Sequence, residues 1–177
     1  MNFKNIDMIV EIPENTNIKY EFDKKYNRIR CDRILNGPLV YPGNYGYIPN
    51  TLSLDNDPLD ILLIKSVLLY PNTLIKVKIL GVLMTEDEHG IDEKIIAVPD
   101  NEVYPYNDTI NNINDIESNL LTKIKYFFTH YKDIDINKWV KVGQFKDKLE
   151  ADKIIMESHQ RYLNSKNKNA LINKAKL

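Results

Sequence analysis

Residues 55–60, which read DNDPLD, place three carboxylates within six positions. Carboxylates this close together raise each other's pKa unless a cation lies between them. Hard divalent ions such as magnesium resolve the conflict, because they prefer oxygen ligands. If the segment is extended, Asp55 and Asp57 point to the same side. A solvated acidic turn is the plainer alternative, and this segment alone does not decide between the two.

A second acidic segment, residues 86–92 (EDEHGID), lies between two predicted strands and is followed by Lys94. Alone it is typical of a hairpin tip. Two acidic segments in one small chain favour a metal–phosphate site, because magnesium binds through a few carboxylates together with substrate phosphate oxygens. Such a site also needs cations for the remaining phosphate charge. The candidates are Lys19, Arg33, Lys94 and Lys132, each of which is by itself more simply a surface charge.

The elements that must position these side chains change in type along the chain. Short runs rich in β-branched or aromatic residues predict strands at residues 6–12, 18–22, 29–33, 60–65, 74–83 and 94–98. Residues 38–49 predict a loop and 86–90 an acidic turn. After Pro105, helical spacing predicts a helix over 113–131 capped by Asn114 or Asp115, a short strand over 139–142 and a second helix over 148–163. Strands followed by helices indicate a β-barrel with helices packed outside.

The composition indicates one globular domain. The 24 Lys and Arg residues nearly balance the 25 Asp and Glu residues, so anion binding must be local. The domain is predicted over residues 1–163, followed by a basic, flexible tail over 164–177. Cys31 is the only cysteine, and neither a signal peptide nor an apolar run of about 18 residues is present. We expect a soluble, cytoplasmic protein that does not bind membranes.

Taken together, these residues resemble the soluble family I inorganic pyrophosphatases over about residues 8–143. Residues 55–61 (DNDPLDI) fit that family's signature at every position. Other segments are similar to its remaining motifs in order and spacing: residues 10–13 (VEIP), 18–21 (IKYE), 32–33 (DR), 41–47 (YPGNYGY) and 130–133 (HYKD).

The resemblance implies a mainly β (α+β) fold, with a five-stranded, closed OB-type barrel and flanking helices, and a homohexamer of the compact bacterial type. It also implies hydrolysis of pyrophosphate to two orthophosphates by in-line attack of a water activated by several Mg²⁺ ions. Asp57 would be the general base, with Tyr45 beside it in the catalytic set. The metal ligands would be Asp55, Asp60, Asp87, Asp92, Glu11 and Glu21. The substrate-binding residues would be Lys19, Arg33, Lys94, Tyr131, Lys132 and Tyr41.

The main departure from the family pattern concerns subunit contacts. Tyr126 stands where bacterial relatives often carry a second histidine one turn before His130, and the match is weak beyond Gly143. A different class remains as the alternative, an OB-fold module that binds nucleic acid or nucleotides. That module would require a positive groove, whereas the acidic segments make this one negative, so we expect no nucleic-acid partner.

Overall fold

The structure is a computed structural model, and it describes residues 6–23 and 25–174, with side chains through residue 168. Its strands are β1 (Ile6–Ile12), β2 (Ile18–Asp23), β3 (Arg28–Ile34), β4 (Asn44–Tyr47), β5 (Asp60–Leu63), β6 (Leu74–Asp87), β7 (Gly90–Ile91), β8 (Lys94–Pro99) and β9 (Val140–Asp147). Its α-helices are α1 (Ser118–His130) and α2 (Lys148–Lys174), and short 3₁₀ helices span Pro105–Asn107 and Ile113–Asp115. The predicted mainly β class with two helices is confirmed.

Five strands pair along a path that returns to its start. The order is β1-β4-β5-β8-β6, and β6 pairs again with β1. All of these pairs are antiparallel except β5 with β8. β7 and β9 add to β6, while β2 and β3 form a separate hairpin. The closed OB-type barrel remains a prediction at this point.

Apolar side chains on the two sides of this sheet form two cores. In β5, Ile61 and Leu63 belong to the core that also contains Ala151 and Ile155 of α2. Leu62, between them, belongs to the core that contains residues of α1. A parallel strand pair buried on both faces favours continuous apolar runs, and all six residues of β8 are buried accordingly. Both helices therefore hold the sheet in place from opposite sides.

Several predicted boundaries are wrong. The loop predicted over 38–49 contains β4, because its tyrosines pair with β1 and β5 in a segment rich in turn formers. β6 continues into the predicted acidic turn as far as Asp87, since its last residues pair with β7 and β9, and only residues 88–89 form the turn. The predicted short strand over 139–142 is longer, and β9 continues to Asp147.

The helix boundaries also differ from the prediction. Asn112, rather than Asn114 or Asp115, caps the 3₁₀ helix Ile113–Asp115: its side chain accepts a hydrogen bond from the Asn114 backbone, and Asp115 accepts one from the Asn112 backbone. The N-cap of α1 is Glu117, whose side chain makes no capping hydrogen bond. Ile116 is extended, so the α-helix starts only at Ser118. α2 continues past the predicted end at 163 to Lys174, into the predicted tail. The domain limit at 163 remains a prediction, and residues 175–177 of the tail lie outside the described residues.

No helix in the described part of the chain is long and apolar enough to cross a membrane. The cytoplasmic location stays a prediction.

Gly46 allows β1 and β4 to approach closely, which generates a prediction about stability. A Cβ at this position would overlap the carbonyl oxygen of Ile9 on β1. We expect Gly46→Ala to lower the free energy of unfolding by about 1–3 kcal/mol, because backbone has to move to relieve the overlap. Urea denaturation measures the change. Gly37→Ala is the control, since its Cβ would meet only Ile134 at an ordinary 3.4 Å; equal losses for both variants would contradict the prediction.

Candidate active site

One cavity of about 900 Å³ brings together every residue that the sequence predicts for the site. The contributing elements are the rim of the strand ring, the β2–β3 hairpin, the loop before β5 and the turn after α1. The predicted residues that line it are Glu11, Lys19, Glu21, Arg33, Tyr41, Tyr45, Asp55, Asp57, Asp60, Asp87, Asp92, Lys94, Tyr131 and Lys132. All of them therefore lie around one cavity, and their individual roles stay predictions.

The segment that carries Asp55 and Asp57 is a turn and not the extended chain considered above. The backbone N–H of Asp57 donates to a carboxylate oxygen of Asp55 at 3.0 Å. Asn56 between them adopts a left-handed conformation with φ of 74°, which asparagine tolerates better than most residues. The N–H of Ser53 donates to the Asp57 carbonyl at 2.7 Å. The turn is thus fixed by its own hydrogen bonds, and both aspartates still line the cavity.

Lys94 joins two acids at the centre of the cavity. Its Nζ lies 2.5 Å from a carboxylate oxygen of Asp60 and 2.5 Å from one of Asp92. The Tyr45 hydroxyl donates to Asp60 at 2.5 Å. Burial disfavours the Lys94 charge, but the attraction of the two aspartates prevails and raises the lysine pKa. The two carboxylates therefore converge on one cationic group.

Two acids in the same region are held partly neutral by their surroundings. The pKa of Asp92 is raised to about 7, mainly by burial, with the opposing effect of Lys94 and a further contribution from Asp60 included in that value. Burial also raises the pKa of Glu11 to about 7, with Asp60 and Glu21 adding to the shift. Both shifts arise mainly because burial disfavours the charged form of the carboxylate, and repulsion from neighbouring acids adds to them.

Lys132, in the turn after α1, holds the end of β6. Its Nζ donates to Asp87 at 2.8 Å and to Glu88 at 3.3 Å. Burial raises the pKa of Asp87, but the hydrogen bonds from Lys132 and the His89 backbone, together with the charges of Lys132 and Lys94, outweigh this effect and the net shift is downward. Asp87 is therefore ionised at neutral pH.

The β2–β3 hairpin supplies two cations from directly paired positions. Lys19 on β2 is opposite Arg33 on β3. Lys19 is hydrogen-bonded to Glu21 and lies 3.5 Å from Asp32. Nε of Arg33 is buried and has no hydrogen-bond partner within the described part of the chain. A buried donor without an acceptor is costly, so a ligand oxygen that accepts a hydrogen bond from this nitrogen would be stabilising.

Aromatic packing fixes the two remaining tyrosines. The Tyr41 ring lies 4.7 Å from that of Phe127, which stacks on Tyr131 at 5.2 Å. Burial raises the pKa of both tyrosine hydroxyls. Each hydroxyl is thus protonated at neutral pH and available as a hydrogen-bond donor.

The charge balance of the lining determines what the cavity accepts. Ten acidic residues line it, but only five lysines and arginines. The donor set is made of oxygens, which fits a hard divalent cation such as magnesium. No group of three His, Cys, Asp or Glu side chains stands ready as a metal site among the described residues; Lys94 and Lys132 instead occupy positions between the acids. The convergence of Asp60 and Asp92 on one cation is the feature that fits a metal ion.

Four further charged residues line the cavity that the sequence reasoning did not assign to the site: Asp23, Asp32, Glu88 and Lys138. Glu88 belongs to the second acidic segment and Asp32 to the DR motif, so the sequence contained a signal for both residues. Lys138 lies in the turn between α1 and β9, and the sequence carries no motif that marks it.

Comparison with known proteins gives consistent results. The family model described as inorganic pyrophosphatase matches residues 8–163. An inorganic pyrophosphatase of Nanoarchaeum equitans is 46% identical over 153 residues, covering 86% of this chain and 94% of that protein. One from Helicobacter pylori is 42% identical over 155 residues, covering 88% and 90%.

Solved structures agree in fold. A structure of the Helicobacter pylori inorganic pyrophosphatase matches with a TM-score of 0.89 at 40% identity and covers 92% of this chain and 95% of its own. One from Coxiella burnetii has a TM-score of 0.88 at 39% identity, with 92% and 97% covered. The family match over residues 8–163 includes every residue that lines the cavity.

Proposed function

The chain belongs to the inorganic pyrophosphatase family, and from this premise we propose that the acidic cavity hydrolyses pyrophosphate to two orthophosphates with the help of magnesium. The single observation that carries the proposal is a cavity in which ten acids surround five cationic side chains. A polyanion enters such a site only together with metal ions, whereas phosphate groups of nucleic acid alone would be repelled. The alternative of a nucleic-acid-binding module is therefore not favoured.

We assign the metal ligands to the acids that the resemblance marks. Asp60 and Asp92 already share a cationic partner in Lys94, which supports their assignment. The others are Asp55, Asp87, Glu11 and Glu21. Magnesium, when bound there, would neutralise phosphate charge and lower the pKa of the attacking water.

The cationic and phenolic side chains would hold the phosphates. Lys19 and Arg33 would act from the β2–β3 hairpin, Lys94 from the start of β8 and Lys132 from the turn after α1. The hydroxyls of Tyr41 and Tyr131 would be neutral hydrogen-bond donors. The buried Nε of Arg33 supports this role, since a phosphate oxygen would satisfy it. Positive groups placed where charge develops on the leaving phosphate would stabilise the transition state.

Asp57 would accept the proton of the attacking water. It lies on the exposed turn at the cavity lining, with its backbone fixed by Asp55 and Ser53. A carboxylate held in this way loses little freedom when it takes up a proton. Tyr45, donating to Asp60, would keep that carboxylate in one orientation.

The barrel and the oligomer belong to the same proposal. The path of five strands that returns to β1, with one parallel pair, supports the closed OB-type barrel. We also infer a cytoplasmic homohexamer from the resemblance.

The first test is phosphate release from pyrophosphate by the purified full chain. We expect release with Mg²⁺ and a loss of nearly all of it when EDTA is in excess, because the acids alone repel the substrate. Restoring Mg²⁺ should restore the rate. Release that is unaffected by EDTA, or no release over a range of pH and divalent metals, would contradict the proposed function.

The second test concerns the general base. Asp57→Asn keeps the side-chain volume but removes the proton acceptor, so we expect kcat to fall about 10²–10⁴-fold with the thermal midpoint nearly unchanged. The matched control is Glu86→Gln, which neutralises an exposed acid of β6 that does not line the cavity. Turnover of Asp57→Asn near that of the control would rule out Asp57 as the base.

The third test concerns assembly. Val67, Tyr70 and Leu74 are 68%, 81% and 62% exposed on one segment, and exposed apolar surface of this kind is typical of contact surfaces. We expect light scattering after gel filtration to give six times the chain mass of 20.7 kDa. Tyr70→Ser should lower that mass, while Tyr26→Ser, an exposed tyrosine on the hairpin turn, should not. A wild-type mass of one chain would contradict the hexamer.

A further inference from the structure

Arg33 has a carboxylate partner that does not line the cavity. Nη1 of Arg33 lies 3.7 Å from Oδ2 of Asp135. Their side chains are only 24% and 13% exposed, so solvent screens this pair less than it screens a pair on the open surface. The guanidinium therefore stands between Asp135 on one side and the cavity on the other.

The second oxygen of Asp135 is held separately. Nδ2 of Asn36, two residues beyond the end of β3, donates to Oδ1 of Asp135 at 3.1 Å. Both carboxylate oxygens thus contact the chain segment that carries Arg33. A carboxylate engaged at both oxygens has little rotational freedom and offers the arginine a fixed partner.

The backbone of Asp135 belongs to the turn that carries two other cations of the cavity. Its N–H donates to the carbonyl of Lys132 at 2.9 Å, and its carbonyl accepts from the N–H of Lys138 at 3.3 Å. Lys132 and Lys138 both line the cavity. Asp135 therefore connects the strand that bears Arg33 with the turn that bears these two lysines.

We propose that Asp135 is a positioning residue, which fixes the guanidinium of Arg33 relative to Lys132 so that both reach the same pyrophosphate. The inference rests on the proposed function, because it requires Arg33 to contact a phosphate group. Asp135 itself touches neither substrate nor metal, so its contribution passes through Arg33. Small displacements of such a group matter because phosphoryl transfer depends mainly on placement and charge.

The test is a double-mutant cycle on the full chain. Asp135→Asn keeps the shape of the side chain and removes the charge that attracts Arg33. We expect the KM for magnesium pyrophosphate to rise about fivefold with kcat changed less than about twofold, as for loss of binding that substrate and transition state share. In an Arg33→Ala background the same substitution should leave KM unchanged, because the group that it positions is gone.

Controls separate positioning from a structural effect. Asp133→Asn removes a carboxylate from the same turn, where it contacts His130 at 2.7 Å, and we expect wild-type KM. If Asp135→Asn does not fold, Asn36→Ala replaces it, with a smaller KM rise that again requires Arg33. A KM that is unchanged, or that rises equally with and without Arg33, would overturn the inference.

Failure of the underlying function has its own readouts. If Arg33→Ala alone keeps wild-type KM, the phosphate-binding role of Arg33 is wrong, and so is the role of Asp135, although hydrolysis stands. If the wild-type chain releases no phosphate, the proposed function itself fails and this inference with it.

Discussion

Repulsion among carboxylates is the constraint on which the rest of this structure depends. Ten acids share one cavity with five lysines and arginines, and unpaired charges out of contact with water are strongly destabilising. Lys94 and Lys132, whose side chains are 4% and 7% exposed, contact acids on other segments. These contacts both neutralise charge and join elements. Glu11 and Asp92 have raised pKa values mainly because they are buried, and neighbouring acids add to both shifts.

The fold reduces this repulsion by placing the beginnings of two strands, β5 and β8, side by side. β5 and β8 are parallel, with Ile61 opposite Ile95, so both strands begin at the same edge of the sheet. Asp60 and Lys94 are the residues just before these two, and their ion pair follows from that register. The continuous apolar runs behind them, packed between α1 and α2, keep the edge in place. A rigid two-sided core is therefore what allows repelling side chains to be held close together.

The sequence was sufficient to predict the fold class and to mark residues that the structure brings to one cavity, and the reason is physical. Spaced acids, buried apolar runs and a change to helical periodicity are local patterns, and every strand and helix that they predict overlaps one in the structure, although several ends differ. The errors have two causes. β4 forms because its tyrosines pair with the distant strands β1 and β5. The segment around Asn56 turns because Asp55 accepts a hydrogen bond from the nearby Asp57 backbone. The contact of Asp135 with Arg33 joins remote segments, and nothing in either segment signals it.

Because the cavity is negative and its proposed substrate is a polyanion, the binding of metal and the binding of substrate depend on each other. Five cationic side chains cannot offset ten acids and a pyrophosphate as well, so the substrate gains affinity only as divalent ions enter. The same ions would offset the repulsion from Asp60 and Asp87, which adds to the effect of burial in raising the pKa of Asp92. By thermodynamic linkage, pyrophosphate must then raise the affinity for the metal by the same factor by which the metal raises that for pyrophosphate. The excess of acids is therefore what makes the site selective for a phosphate that arrives with its metal, since a phosphate without one meets net negative charge.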